Sequence, residues 1–188
     1  MKIITKEEFL ENETFYLEEI LAGKIFIYPT DTIYGIGCDA QNAEAIMKIR
    51  EIKNRDKKPI SIIAPSKKWI ADNCEVEHER DLDRLPGPYT FILKLHDREA
   101  VARKELIGDS ENIAVRIPNN WFSDWIGESF TPFLTTSVNI AGEPHLTNPD
   151  ELKKEIEEKV DYLIDDGIID GKPSKIINLT KNKEIVRN

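Results

Sequence analysis

Two periods of apolar and polar residues run through this chain. KIFIYPT (24–30) and PISIIAP (59–65) are short apolar runs bounded by proline and polar residues, the pattern of buried strands. YTFILKL (89–95), NIAVRIP (112–118) and FLTTSVN (133–139) read the same way, and residues 1–4 form a shorter strand. DYLID, SKIINL and KEIVR close the chain as three brief strands. Between them the period lengthens. Apolar residues at 9, 10, 16, 17, 20 and 21 follow the Thr5–Glu8 capping box, which predicts one helix ended by Gly23. Asn42 caps a helix carrying Ile46, Met47, Ile49 and Ile52, and Ser66 caps a shorter one. NNWFSDWIGE is helical by the spacing of Trp121, Phe122 and Trp125. Asn148-Pro149 starts a helix that continues through DELKKEIEEKV. Pro86-Gly87-Pro88 is a hard turn, and Gly35 and Gly37 read as a second turn after the strand at 24–30. Alternating strands and helices predict an α/β fold; the short final gaps add antiparallel neighbours. The expectation is a mixed, twisted open sheet flanked by helices, in one domain spanning 1–188.

Composition narrows this picture. The 188 residues are 40% hydrophobic and 32% charged, ample for a globular core, and no apolar run is long enough to span a membrane. No leader-like segment opens the sequence, and the two cysteines, Cys38 and Cys74, suit a reducing compartment, so the expected location is cytoplasmic. His78, His96 and His145 are scattered without metal-ligand spacing, and no metal site is expected. The net charge of −9 argues against bulk nucleic-acid binding, since proteins that grip phosphate backbones carry basic faces.

Chemistry-bearing residues collect where strands end. In open α/β sheets ligands bind beyond such ends. Thr30, Asp31, Thr32 and Tyr34 follow the strand at 24–30; Thr135, Thr136, Ser137 and Asn139 close the one at 133–139. Arg116 alternates with core residues in IAVRIP, either at a solvent-facing edge or as a guanidinium aimed at a carboxylate or phosphate. KNRDKK (53–58) is either a solvated helix end or a basic cluster, Lys53, Arg55, Lys57 and Lys58, for a polyphosphate. TTSVN admits a plain turn as readily as a set of phosphate and sugar ligands. His145 reads as a loop residue just past this cluster. Neither G-x-x-x-x-G-K-[ST] nor G-x-G-x-x-G occurs.

Taken together and in order, PTDTIYGIG, KNR with KP, LPGPYTFIL, AVRIP, TTSVNIAGEP and SKIINLT resemble the YrdC family over nearly the whole chain. The resemblance implies a three-layer α/β fold with a large basic cavity. It implies an L-threonylcarbamoyladenylate synthase, a nucleotidyltransferase that converts L-threonine, bicarbonate or CO2 and ATP to threonylcarbamoyl-AMP and pyrophosphate. A downstream transferase then modifies tRNA. Mg is expected with ATP, and direct tRNA binding is expected to be weak or absent. By the same resemblance Lys53, Arg55, Ser137 and Asn139 form the catalytic set. ATP falls to Arg55, Lys58, Ser137, Asn139, His145 and Arg187. Threonine falls to Thr32, Arg116, Thr135 and Ser174, with Thr30 and Tyr34 as pocket walls. The sequence departs from the family pattern at Ile63, where histidine is common, at Lys175, where threonine is common, and at Asn188, which stands after Arg187 in place of Pro-Gly. The alternatives are an RNA-binding module of this fold and a paralogue with another carbamoyl-adenylate chemistry.

Overall fold

The computed structural model describes residues 1–54, 60–97, 99–140, 142–181 and 184–187. Its strands are β1 (Lys2–Thr5), β2 (Phe26–Tyr28), β3 (Gly35–Gly37), β4 (Ser61–Ile63), β5 (Cys74–Glu75), β6 (Tyr89–Leu95), β7 (Asn112–Arg116), β8 (Phe133–Ser137), β9 (Tyr162–Asp165), β10 (Lys175–Asn178) and β11 (Glu184–Arg187). They lie in the order β1-β9-β2-β3-β8-β4-β7-β6-β10-β11, with β5 paired to β6 off this path. The sheet is mixed and open. Parallel pairs join β1 to β9, β9 to β2, β4 to β7 and β6 to β10, and the remaining pairs are antiparallel.

Alternation along each strand feeds two apolar layers. Ile27, Ile62 and Leu134 pack with Ile46, Ile49 and Ile52 of α3 (Ala43–Ile52), Ile70 of α4 (Lys67–Asn73) and Leu106 of α5 (Arg103–Ile107). Tyr28, Ile63 and Phe133 pack with Phe9 of α1 (Lys6–Glu11), Tyr16 and Ile20 of α2 (Glu13–Leu21), and Phe122 and Trp125 of α6 (Trp121–Ser129). The caps read from sequence at Thr5, Asn42 and Ser66 are in place, each accepting a hydrogen bond from the backbone N–H three residues on; Asn120, not singled out in the sequence, caps α6 in the same way.

Three expectations are corrected. The single helix expected after Thr5 is two, because Asn12 leaves helical geometry and its side chain takes the carbonyl of Glu8, closing α1 before α2 begins. The helix expected from Asn148 is a 3-10 turn at Pro149–Glu151 followed by α7 (Lys154–Glu157). Leu152 adopts an extended backbone between them and packs on the core. The GIG segment is strand β3, not a turn. A Cβ at Gly37 would lie 2.0 Å from the carbonyl oxygen of Leu134, so the glycine answers to close strand approach.

Candidate functional site

β2, β7, β8 and β10 deliver their polar ends to one cavity of about 150 Å³. Thr30, Thr32, Tyr34, Arg116, Thr135, Ser137, Ser174 and Arg187, all picked out in the sequence, line it together. Asn139 and His145 line a neighbouring cavity of about 180 Å³ with Glu143 and Lys153. Ser137 joins the two, its hydroxyl donating to Asn139 Oδ1 at 2.7 Å. Arg55 and Lys58 lie outside the described residues.

Lys53 stands behind the strand end rather than in the lining of either cavity. It caps α3 and is almost fully buried. Its ammonium donates to the carbonyl of Ser137, to the carbonyl of Asn139 at 2.9 Å and to Asn139 Oδ1 at 3.0 Å. Three acceptors of one turn thus converge on a single ammonium. Asn139 Nδ2 then donates to the carbonyl of Glu143 at 2.7 Å. Lys53 therefore holds the Ser-Val-Asn turn in shape.

Arg116 is no edge residue. Its guanidinium is buried and pairs with Asp31 at 2.5 Å, and it reaches Thr32 Oγ1 at 3.4 Å. Asp31 also accepts from the backbone N–H of Asn119 at 3.1 Å. Arg116 Nε is buried without a hydrogen-bond partner among the described residues. Burial draws the Arg116 pKa down, and the Asp31 carboxylate opposes that shift. Arg187 donates to the carbonyl of Ser174 at 2.7 and 3.1 Å, and burial and then the charge of Arg116 pull its pKa down as well. Two guanidiniums that feel each other across one cavity favour an anionic ligand.

Burial lowers the pKa of His145, and the charges of Arg187 and Lys53 lower it further. His145 is thus neutral at pH 7. Because its folded pKa lies below the unfolded value, protonation disfavours the folded state, and this contribution is lost as pH falls through the folded pKa. A polyanion bound between these cations would offset their part of the shift and leave the larger part, from burial, in place. Proton NMR titration is expected to place the His145 midpoint below 6.5 in the free protein.

Several residues at the site drew no role from sequence. Asp31 was legible only as part of a polar strand end. Ser61 donates to the carbonyl of Thr135 at 2.8 Å, and Thr90 bonds Ser174 at 2.7 Å. Tyr34 is more than a wall residue. Its hydroxyl donates to the carbonyl of Gly167 at 2.7 Å and accepts from Asp166 N–H, latching the segment 166–174 over the cavity. A Cβ on Gly171 would sit 1.9 Å from the carbonyl oxygen of Thr32, so only glycine lets this strap lie flat. Ile63 pairs in register with Arg116 yet packs in the apolar layer outside the cavity lining, and Lys175 opens β10 beside Tyr89.

A family model described as "Telomere recombination", for the Sua5, YciO and YrdC proteins, matches residues 18–188. A Methanocaldococcus jannaschii relative is 39% identical over 197 residues, covering 98% of this chain and 90% of that one. A Xanthomonas axonopodis pv. citri protein named threonylcarbamoyl-AMP synthase is 31% identical, covering 86% of this chain and 87% of its own. Among solved structures, P. abyssi Sua5 complexed with L-threonine superposes with a TM-score of 0.85 at 27% identity; it covers 96% of this chain, which spans 55% of that protein. E. coli YciO superposes with a TM-score of 0.87 at 26% identity, covering all of this chain and 95% of its own.

Proposed function

Because the chain belongs to the Sua5/YciO/YrdC family, we propose that it is an L-threonylcarbamoyladenylate synthase, making threonylcarbamoyl-AMP and pyrophosphate from L-threonine, bicarbonate or CO2 and ATP. One observation carries the reading. A small cavity lined by threonine hydroxyls and two arginines, Arg116 buried and Arg187 at its rim, opens beside a Ser-Val-Asn turn clamped by a lysine.

The chemistry needs this arrangement. The threonine amine becomes a carbamate, whose oxygen attacks the α-phosphorus of ATP while pyrophosphate leaves. Two anions approach each other, so the site must supply fixed positive charge and donors. Arg116 and Thr32 suit the amino acid, with Ser174 and Thr135 beside them; Ser137, Asn139, His145 and Arg187 suit the nucleotide. Lys53 keeps the turn in its working shape, and catalysis is mainly positioning. Among the described residues no group of three His, Cys, Asp or Glu side chains is placed to hold a metal. Mg would arrive on the ATP phosphates and offset their charge.

No helix among the described residues is long and apolar enough to cross a membrane; a cytoplasmic location is part of the proposal. Its product passes to a transferase that modifies tRNA, and with a net charge of −9 direct tRNA binding is weak or absent. The test is pyrophosphate release from ATP with Mg and bicarbonate, with and without L-threonine, and with serine as control. Release that requires threonine and bicarbonate is expected. Release without threonine dependence would favour another carbamoyl-adenylate chemistry on this fold, and tight, salt-dependent RNA binding without release would favour an RNA-binding module. A second prediction concerns the strap. Gly171→Ala drives a methyl into Thr32, and the KM for threonine is expected to rise roughly ten- to hundred-fold, the scale of a misplaced contact. Steady-state kinetics with threonine varied at saturating ATP checks it.

A further inference from the structure

Tyr28 lies outside the cavity lining and plays no part in the chemistry above, yet it touches the site. It faces Gly35 across the β2–β3 pair, and the place a Gly35 side chain would occupy is filled by its phenol; a Cβ there would meet the phenol oxygen at 2.9 Å. Crossing the glycine strand, the Tyr28 hydroxyl donates to Thr135 Oγ1 at 2.5 Å. The ring is fully buried and stacks on Phe122, with centroids 4.5 Å apart. Burial also pushes the phenol pKa up, so it keeps the proton it donates.

A hydroxyl has one proton to give. Thr135 accepts from Tyr28, so its own proton remains for the cavity it lines. The opposite holds for Thr32. Thr30 spends its proton on the carbonyl of Ile33 at 2.7 Å, so the 2.9 Å bond between Thr30 and Thr32 is donated by Thr32. Thr32 offers the cavity only an acceptor, and Arg116 already approaches that oxygen.

We propose that Tyr28 is a positioning residue for substrate recognition: it fixes Thr135 as a donor opposite Thr32 as an acceptor, so an amino acid enters with an acceptor oxygen toward Thr135 and a donor toward Thr32. This rests on the synthase reading for the ligand's identity, but the wiring itself does not. A ligand presenting donors at both ends, or acceptors at both, is mismatched, because one buried hydroxyl is left unpaired.

The experiment compares the wild type with Tyr28→Phe, Thr135→Val and the double variant. L-threonine binding is measured calorimetrically, kinetics by pyrophosphate release, and stability by thermal unfolding. Phenylalanine keeps the stack on Phe122. Tyr28→Phe leaves Thr135 its proton but no longer fixes its direction, and is expected to weaken threonine roughly three- to ten-fold, the scale of one neutral hydrogen bond, raising its KM but not the KM for ATP. The double variant is expected to bind threonine no worse than Thr135→Val alone. Thr135→Val is expected to cost more stability than the same change in the Tyr28→Phe background, because it orphans the buried phenol. Wild-type threonine affinity in Tyr28→Phe, or effects that multiply in the double variant, would overturn the proposal. A wild type that binds no threonine would instead overturn the synthase reading. Unfolding then tests the Tyr28–Thr135 contact on which the wiring rests: strictly additive losses refute it, and coupled losses support it.

Discussion

Lys53→Ala is expected to lose threonine-dependent pyrophosphate release on the order of a thousand-fold while still unfolding cooperatively. The reason is local. The Lys53 ammonium ties the carbonyls of Ser137 and Asn139 to Asn139 Oδ1, and Ser137 Oγ leans on that same oxygen. Without it, half-buried acceptors are left facing one another, and the turn that presents Ser137 and Asn139 relaxes. Each hydrogen bond to a charged donor is worth roughly 1.5–3 kcal/mol, so some stability is lost too, and the melting temperature falls. Lys53→Arg separates charge from shape. A planar guanidinium keeps the charge but cannot reproduce three converging bonds, so only part of the activity returns. Pyrophosphate release within about three-fold of wild type in Lys53→Ala would contradict the assignment.

Asp31→Ala carries the largest expected loss of stability. Both partners of the Asp31–Arg116 pair are buried, with side chains only 9% and 8% exposed. Removing the carboxylate leaves a buried guanidinium uncompensated, which costs about 3–5 kcal/mol. Urea unfolding is expected to show that loss. A change below about 1 kcal/mol would mean that the pair behaves like an exposed one. Arg116→Ala strands Asp31 in the same way, and weakens threonine more than ATP. Replacing both residues together is expected to recover much of the stability and none of the threonine affinity, because the pair's energetic cost is shared but the cavity's cation is not. That contrast separates Asp31 as a support for Arg116 from Arg116 as a ligand contact.

Much of this was legible in the residues. The strands at 24–30, 89–95 and 133–139 showed in their apolar runs, and the caps at Thr5, Asn42 and Ser66 followed from side chains that bond the backbone locally. The polar strand ends pointed to the site by falling together where strands of an open α/β sheet end, though TTSVN by itself also fitted a plain turn. Where reading failed, a competing local bond or a distant neighbour had decided the matter. Asn12 broke a helix whose apolar period ran on, Leu152 turned into the core and divided another, and the glycines at 35 and 37 belonged to a strand because Tyr28 and Leu134 press against them.

Local patterning supplied most of the elements, the mixed α/β class and the candidate residues, because helix caps, apolar periods and strand-end hydroxyls act over a few positions. What those residues do to one another follows from the assembled fold. Asp31 and Arg116 are 85 positions apart, Lys53 and Ser137 84, and Tyr28 and Thr135 107. Whether a buried charge is paired, which hydroxyl keeps its proton, and whether a lysine faces a cavity or braces the turn behind it all depend on strand order and burial. Those follow from how the whole chain excludes water, and no short stretch of it contains them.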